Sequence, residues 1–423
     1  MSSKWGYVRL GDVAAFKYGK FLAKSQLSDS GYPVFSGYGV VGYLPDFQFD
    51  HEQLLIVCRG EGGTGDVKMS PSKCSITNLS IVISPDQEKV DKKYLYWALK
   101  ASDTHRLRTG SAQAQIVIGS LEPFAILLPQ DRGVQRKVAQ FLDFIEDRIC
   151  LLRETNVTLE AIAHALFKSW FVDFDPVRAR QQGLAPEGVE GKVASLFPDS
   201  FEDDELGALP KGWKRGVLAD LATYQNGYAF KTKDWQDSGH PVVKIGNVKP
   251  GVIDVTGASC VSTDVVVGLD RFKLSRGDLL VGMTGYVGET GLVPTITPDA
   301  FLNQRVGRIS ASNGIADIGY AFCLVRNPAY KTYAESKAHG SAQANVSGTD
   351  LMAYPAVIPS KSCLDAFNRV LHPVIDQLLC NYDRAQTLGA LRDALLPRLA
   401  SGQLRLPDLD LVAQESILDE ALV

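Results

Sequence analysis

The stretch from Val134 to Phe171, VQRKVAQFLDFIEDRICLLRETNVTLEAIAHALFKSWF, decides the fold of the chain. Its apolar residues recur at alternating steps of four and three, or of seven where a polar residue takes the slot: Val134, Val138, Phe141, Ile145, Leu152, Leu159, Ile162 and Leu166. Such a heptad seam is narrower than the apolar face of an ordinary surface helix. The spacing predicts one helix, roughly 55 Å long, that needs a partner helix.

A second stretch near the C-terminus provides that partner. Its apolar residues follow the same spacing at Leu364, Phe367, Leu371, Val374, Leu378, Tyr382, Ala385, Leu388, Leu391 and Leu395. The two stretches also end alike, because residues 158–167 align with residues 387–396. The alternative is two unrelated amphipathic helices in separate cores. The internal repeat described next favours an intramolecular helix pair.

The chain contains two copies of one unit. Residues 5–34 align without gaps with residues 213–242, and ten of the thirty positions are identical. The sequence Gly-Ser-Ala-Gln-Ala-Gln at 110–115 returns as Gly-Ser-Ala-Gln-Ala-Asn at 340–345. Such self-similarity indicates a duplicated unit of about 200 residues, a lobe followed by a long helix. The predicted fold class is α+β: two similar loop-rich β/α lobes separated by an antiparallel two-helix coiled coil, related by a pseudo-two-fold axis.

Short β-branched runs bounded by turn residues predict the strands of each lobe. They lie at 33–35, 54–58, 80–83, 241–245, 278–282 and 306–309, with helices at 92–102 and 319–325. The predicted segments are lobe 1 (1–130), a first spacer helix (131–172), an acidic linker (173–212), lobe 2 (213–358), a second spacer helix (359–402) and an acidic tail (403–423).

Composition narrows the class of protein. No apolar run approaches the ~18 residues of a membrane span, and the first residues contain no apolar signal segment, so we expect a cytoplasmic protein. The seven cysteines are scattered, which indicates neither disulfides nor zinc. The net charge is −4, but the acidity lies in the linker and tail. Lobes 1 and 2 each carry 14 Lys and Arg against 12 Asp and Glu, which allows a positive face on each.

A search for catalytic motifs finds none that fits. Glycine patterns of the form G-x-G-x-x-G occur at 37–42 and 60–65. Neither opens a helix that would hold a pyrophosphate, so tight turns are the better interpretation. There is no P-loop motif, no Ser/His/Asp arrangement and no metal spacing among the six histidines. We therefore expect a chain that is not an enzyme and that binds no metal or cofactor of its own.

The polar, nonacidic loops remain as candidates for contact with double-stranded DNA. Arg, Gln and Asn bind base edges in pairs of hydrogen bonds, and Ser donates to phosphates. The alternative is that the Gly-Ser-Ala-Gln turns are purely structural. The candidates are Arg59, Arg106, Arg108, Ser111, Gln113 and Gln115 in lobe 1, and Lys231, Lys233, Asn303, Gln304, Arg305, Lys337, Ser341, Gln343 and Asn345 in lobe 2.

Several motifs resemble a known family. Residues 166–178, Leu-Phe-Lys-Ser-Trp-Phe-Val-Asp-Phe-Asp-Pro-Val-Arg, resemble the central conserved region of the specificity (S) subunits of type I restriction–modification systems. Residues 391–404 are similar to their C-terminal conserved region. Residues 226–231, 246–247, 277–280 and 302–306 look like signatures of their target-recognition domains. The resemblance covers essentially residues 5–404.

The resemblance implies two DNA-reading domains, each for one half of a bipartite, asymmetric site. It implies no catalysis by this chain. Two modification subunits would bind S-adenosylmethionine and methylate adenine, and restriction subunits would use ATP and Mg for translocation and cleavage. The helix-end motifs would bind these partners through Phe167, Trp170, Phe171, Leu395 and Leu396.

The two lobes differ where a match would be expected. Lobe 1 has Lys17-Tyr-Gly-Lys20 where lobe 2 has Gln225-Asn-Gly-Tyr228, so we expect unequal half-sites. Two other functions stay open at this stage. One is a self-contained DNA-modifying enzyme, which S-adenosylmethionine binding by the isolated chain would favour. The other is an assembly scaffold with no role on DNA, which would lack the salt dependence of phosphate contacts.

Overall fold

A computed structural model describes residues 5–60, 63–110, 114–204, 207–311, 317–340 and 344–405. The chain forms two compact units, one made of Met1–Ile149 with Thr387–Val423 and the other of Cys150–Gln386. Each unit combines one lobe with segments of both long helices, so each helix is divided between the units. None of the helices in the described ranges is both long and apolar enough to cross a bilayer.

The first unit is built on an antiparallel sheet in the order β2-β8-β5-β6. Strand β5 is buried along its whole length because its apolar side chains are covered on both faces. The elements are β1 (Trp5–Arg9), α1 (Leu10–Val13), β2 (Ala14–Tyr18), β3 (Tyr32–Phe35), β4 (Val40–Leu44), β5 (Leu54–Val57), β6 (Val67–Met69), β7 (Ser75–Ile76), β8 (Ser80–Pro85), α2 (Lys92–Lys100), α3 (Ile118–Leu121), β9 (Ala125–Pro129) and the long helix α4 (Arg132–Phe171).

The second unit carries a larger sheet, in the order β13-β22-β19-β20-β17-β16. Its elements begin with α5 (Asp175–Gln181), α6 (Gly191–Ala194), β10 (Phe201–Asp204), β11 (Gly207–Pro210), β12 (Lys214–Val217), β13 (Thr223–Asn226), β14 (Trp235–Gln236), β15 (His240–Val243), β16 (Val248–Lys249), β17 (Gly251–Ile253), β18 (Cys260–Val261) and α7 (Thr263–Val266). They continue with β19 (Leu279–Gly282), β20 (Thr290–Leu292), β21 (Phe301–Leu302), β22 (Val306–Ser310), α8 (Gly319–Arg326), α9 (Pro328–Lys337), α10 (Gly348–Met352), β23 (Pro355–Ile358) and the long helix α11 (Lys361–Ala400).

The strand order confirms the internal repeat. The order β2-β8-β5-β6 of the first unit returns as β13-β22-β19-β20 in the second. A parallel pair, β3 with β7, matches the parallel pair β15 with β21. The antiparallel pair β1 with β9, which joins the two ends of lobe 1, matches β12 with β23. The second lobe adds β16 and β17 beyond β20, which accounts for part of its greater length.

Helices α4 and α11 each contain 40 residues and run antiparallel within each unit. In the second unit, Asn381 Nδ2 donates to Asn156 Oδ1 at 2.8 Å, and Asn156 Nδ2 donates to the Leu378 carbonyl at 3.1 Å. In the first unit, Arg392 of α11 forms an ion pair with Glu146 of α4. The predicted fold class, two similar α+β lobes with an antiparallel helix pair, is confirmed.

The buried seam of α4 differs in detail from the prediction. Its buried residues Val138, Leu142, Ile145, Ile149 and Leu152 keep the alternating steps of four and three. The seam therefore contains Leu142 and Ile149, whereas the prediction had Phe141 and no residue at 149. The buried polar residue in the seam is Asn156. Ile162, expected in the seam, is 46% exposed. In a run so rich in apolar residues, two neighbouring heptad registers compete, and packing selects between them.

The five residues predicted to bind partner subunits are buried in the chain's own cores, so that assignment is corrected. Phe167 packs against Tyr320 at 5.0 Å between ring centroids, Trp170 against Phe197 at 4.9 Å, and Phe171 against Trp213 at 5.7 Å. Leu395 and Leu396 lie in the core of the first unit. These large side chains are used to hold each lobe to the ends of the long helices.

The predicted acidic linker 173–212 is a folded segment in its described part. It forms α5, α6 and the hairpin of β10 with β11. Val177, Phe197 and Leu209 are buried in the core of the second unit. The acidic residues cover the outer side of this segment, while its few apolar residues complete the core around Trp213. Of the predicted tail 403–423, residues 406–423 lie outside the described residues.

Candidate nucleic-acid interface

Lobe 2 contains a polar cleft of about 580 Å³ where four segments of its sheet meet. We call it cleft 2. Asn226 and Gly227 enter it at the end of β13, Thr284 follows β19, and Gln304 lies in the turn between β21 and β22. The full lining is Asn226, Gly227, Met283, Thr284, Gln304, Arg305 and Asn345. Three of the predicted DNA-binding residues are thus brought together, because Asn345 lies in the same cleft as the neighbouring residues Gln304 and Arg305.

The floor of cleft 2 depends on a close approach of two backbones. Tyr228 and Asn303 form a parallel bridge, in which Tyr228 N donates to the Leu302 carbonyl at 2.8 Å and Gln304 N donates to the Tyr228 carbonyl at 2.9 Å. A Cβ on Gly227 would lie 2.2 Å from the Asn303 carbonyl oxygen. Only glycine fits there, so Gly227 allows the turn with Gln304 and Arg305 to lie against the end of β13.

Asn303 shapes this turn rather than facing a ligand, so its assignment to DNA binding is corrected. Its side chain is 8% exposed. Its Oδ1 accepts a hydrogen bond from Arg305 N at 3.3 Å, and its carbonyl accepts one from Val306 N at 2.9 Å. Asn is suited to such a turn because its side chain bonds to the backbone two residues on. Gln304 and Arg305 are exposed on the other side.

A partly buried tyrosine orients the amide of Asn226. The Tyr224 hydroxyl donates to Asn226 Oδ1 at 2.9 Å. Burial raises the pKa of Tyr224, so the hydroxyl keeps its proton at neutral pH. The ring is accommodated by Gly307 and Gly348, where an added Cβ would lie 2.2 Å from it. Because its oxygen is engaged, the Asn226 side chain is held with a defined orientation at the rim of cleft 2.

Asn345, another lining residue of cleft 2, is fixed by backbone and side-chain hydrogen bonds. Its backbone exchanges two hydrogen bonds of 2.9 Å with His339, which closes the predicted loop 340–345. Thr284 Oγ1 donates to Asn345 Oδ1 at 2.6 Å. The loop residues Ser341 and Gln343, both predicted to contact DNA, lie outside the described residues. The loop is therefore anchored by its last residue to the strand end that carries Thr284.

Lobe 1 repeats the same backbone arrangement with different side chains. Lys20 and Thr77 form the parallel bridge, and a Cβ on Gly19 would lie 2.1 Å from the Thr77 carbonyl. Gln115 bridges both Arg59 and Thr109, as Asn345 bridges Thr284 and His339. Apart from Cys58, which corresponds to Met283 and is fully buried, the residues that correspond to the lining of cleft 2 form what we call surface 1: Tyr18, Gly19, Arg59, Asn78, Leu79 and Gln115.

Surface 1 contains two of the predicted residues, Arg59 and Gln115. Both are exposed. The Arg59 guanidinium lies 5.9 Å from the centre of the Tyr18 ring. The Arg59 carbonyl accepts a hydrogen bond from the Tyr38 hydroxyl at 3.1 Å. The arginine is thus supported by one aromatic ring and one aromatic hydroxyl.

The remaining predicted basic residues occupy other places. Arg106 stacks on Phe124 at 4.9 Å. Arg108 Nε donates to the Thr64 carbonyl at 2.6 Å, which ties the start of loop 110–115 to the body of lobe 1. Lys231 and Lys233 are exposed around the short 3-10 turn Thr232–Asp234. Lys337 lies 5.6 Å from the Tyr333 ring in the last turn of α9. Ser111 and Gln113 lie outside the described residues.

Four polar residues of cleft 2 and surface 1 were not predicted as site residues from the sequence: Tyr18, Asn78, Asn226 and Thr284. The repeat contained a signal for two of them, because Tyr18 and Asn226 are aligned and both precede the glycine shared at 19 and 227. Thr284 and Arg59 correspond only through strand pairing. Among the residues that the structure describes, no group of three or more His, Cys, Asp or Glu is placed to hold a metal ion.

Comparison with known proteins gives one consistent family. The sequence model described as "Type I restriction modification DNA specificity domain" matches residues 2–161 and 210–365. The specificity subunit of the type I restriction enzyme HindI from Haemophilus influenzae is 25% identical over 371 residues, 77% of this chain and 80% of that protein. The MjaIX specificity subunit from Methanocaldococcus jannaschii is 22% identical over 345 residues, 76% of this chain and 71% of that protein.

The fold has been seen before in a crystal structure. The S subunit of a type I restriction–modification system from M. genitalium superposes with a TM-score of 0.56 at 17% identity. The match covers 94% of this chain and 96% of that one. The similarity therefore extends over both lobes and both long helices.

Proposed function

Since the chain belongs to the type I restriction–modification DNA specificity family, whose model matches both halves of it, we propose that it is the DNA sequence-specificity subunit of such a complex. Each lobe reads one half of a bipartite, asymmetric site in double-stranded DNA. The observation that carries the proposal is the repetition of one polar site on one backbone framework, as cleft 2 in lobe 2 and surface 1 in lobe 1.

The side chains at these sites suit base edges in the major groove. Asn and Gln can bond an adenine in pairs, and arginine can do the same with a guanine. Cleft 2 presents Asn226, Gln304 and Asn345 around Arg305, and surface 1 presents Asn78 and Gln115 beside Arg59. The surrounding exposed lysines, Lys231, Lys233 and Lys337, would contact phosphates and supply affinity without sequence preference.

The modification and restriction subunits would be the protein partners. The helix-end residues are buried, so we assign docking to exposed apolar side chains of α4. Leu151 and Ile162 are 50% and 46% exposed. They are separated by three helical turns and share one face. Apolar residues exposed in this way on a rigid helix provide contact area for another helix.

In this proposal the chain itself is not an enzyme. S-adenosylmethionine would bind to the modification subunits, and ATP and Mg to the restriction subunits, all within the cytoplasm. This chain would contribute the recognition of sequence and the platform for assembly. Its own residues would position the modification subunits over adenines in the two half-sites.

A single-molecule methylome tests the proposal. Cells that contain the cognate methyltransferase subunits are compared with and without this chain, and partner activity is confirmed by complementation with a functional specificity subunit. The expected result is a bipartite adenine-methylation motif that requires the chain. An unchanged methylome would overturn the proposal. Binding of the purified complex to the motif duplex should also fall steeply with salt.

A further inference from the structure

The two sites each contain one arginine, but the arginines come from different positions of the shared framework. In lobe 2, Arg305 lies in the turn after β21, and lobe 1 has Leu79 at the corresponding place. In lobe 1, Arg59 follows β5, and lobe 2 has Thr284 at the corresponding place. The two sites therefore each contain one arginine, but it follows a different strand in each lobe.

Arg59 has a fixed backbone position and an aromatic neighbour. Its backbone is fixed by the bridge to Gln115 on one side and by the Tyr38 hydroxyl on its carbonyl. Its guanidinium lies over the Tyr18 ring at 5.9 Å. A guanidinium can lie against an aromatic face while its edge, which carries the donors, pairs with a ligand.

Arg305 is fixed by a different set of contacts. Its N donates to Asn303 Oδ1 at 3.3 Å, and its carbonyl accepts a hydrogen bond from Met283 N at 3.1 Å. The next residue, Val306, is fully buried at the start of β22. The backbone of the arginine is thus tied to two strands, while the residue lines cleft 2.

We propose that Arg59 and Arg305 are the specificity-determining residues for one guanine in each half-site. This inference rests on the proposed function and deepens it. A planar guanidinium pairs with guanine O6 and N7 at once, which a lysine ammonium cannot reproduce. The two arginines follow different strands of the shared framework. The guanine therefore lies at a different position in each half-site, relative to the bases contacted by the Asn and Gln side chains. This gives an asymmetric site a direct structural cause.

The test uses the full complex with variants Arg59→Lys and Arg305→Lys, which keep the charge and remove the planar fork. Methylomes of cells that express each variant are compared with the parent. Arg59→Lys should relax one guanine position in one half-site, and Arg305→Lys one guanine position in the other. On purified complex, preference for that guanine should fall by roughly 5- to 150-fold, the range expected for one bidentate contact. Arg59→Ala and Arg305→Ala should relax the same positions.

Matched controls are Arg9→Lys in lobe 1 and Arg271→Lys in lobe 2, both exposed and outside the two sites. Both should leave the motif unchanged. A uniform loss of methylation with an intact motif would show a phosphate contact and overturn the inference. So would an unchanged motif in both the Lys and Ala variants. In either case the chain-dependent bipartite motif would persist and the proposed function would stand. Absence of any such motif would instead reject the proposed function.

Discussion

Gly227→Ala probes how the fold builds cleft 2. The added Cβ would lie 2.2 Å from the Asn303 carbonyl oxygen and 2.7 Å from that of Leu302. A carbon–oxygen contact is normally at least about 3.3 Å, so the turn at 303–305 must retreat by about 1 Å. Gly227 does not have a left-handed φ, so the effect is purely steric. Overpacking of this kind costs about 1–3 kcal/mol of unfolding free energy.

The same displacement affects recognition. A binding constellation tolerates roughly 0.5 Å of misplacement, and the turn carries both Gln304 and Arg305. We therefore expect Gly227→Ala to weaken binding of the complex to its duplex by roughly 5- to 150-fold through the lobe 2 half-site. Urea unfolding followed by near-UV circular dichroism gives the stability, and fluorescence anisotropy with a labelled duplex gives the affinity.

The control is Gly191→Ala in α6, outside cleft 2, since no heavy atom lies within 4 Å of the Cβ that would be added there. Its unfolding midpoint and affinity should equal those of the parent. Stability and affinity equal to those of the parent in Gly227→Ala would show that the close approach of Gly227 and Asn303 does not shape cleft 2. A loss of stability with unchanged affinity would refute the assignment of Gln304 and Arg305 to DNA contact.

Three further predictions concern the helices and the rim of cleft 2. Asn156→Ala should lower the free energy of unfolding in urea by about 1–3 kcal/mol, because it leaves the buried Asn381 amide without its 2.8 Å partner. The double variant Asn156→Leu with Asn381→Leu should recover the stability. Equal stability of the parent and the single variant would contradict this prediction. Tyr224→Phe should retain the fold and weaken duplex binding by about 0.5–1.5 kcal/mol in anisotropy, and unchanged affinity would show that the Asn226 amide is not used. The double variant Leu151→Lys with Ile162→Lys should leave the free chain folded and reduce its co-purification with the modification subunits. The control Val267→Lys, at an exposed position in lobe 2, should co-purify with these subunits as the parent does. An intact complex in the double variant would reject this docking face.

The architecture could be predicted because it depends on repeated, local signals. The heptad spacing of α4 and α11 and the alignment of 5–34 with 213–242 are properties of contiguous sequence. Strands such as β5 and β8 are short apolar runs with turn residues on both sides, and they lie where the sequence predicts. The residues of the α4 seam were predicted less accurately, because two neighbouring heptad registers of this helix are both apolar. Only packing distinguishes buried Leu142 from exposed Ile162.

The site was harder to predict because it is assembled from strand ends. Thr284 is brought to Asn345, and Arg59 to Gln115, by bridges between segments about 50 to 60 residues apart. No local pattern records such pairing. Asn303 was predicted to contact DNA but does not face the cleft. Its side chain is buried beside Gln304 and Arg305, where it stabilises the turn. The helix-end motif of Phe167, Trp170 and Phe171 was distinctive in sequence for a structural reason, the burial of three aromatic rings.

In the proposed function, the two lobes read the two half-sites separately. The most direct measurement is a pair of methylomes, for Gly19→Ala and Gly227→Ala, in cells with active methyltransferase subunits. The two substitutions are matched, since each places a Cβ within about 2.2 Å of a carbonyl oxygen, that of Thr77 or Asn303. We expect Gly19→Ala to degrade one half of the motif and Gly227→Ala the other, with the gap between the halves unchanged. Equal degradation of both halves by either variant would show that the lobes do not read the half-sites separately.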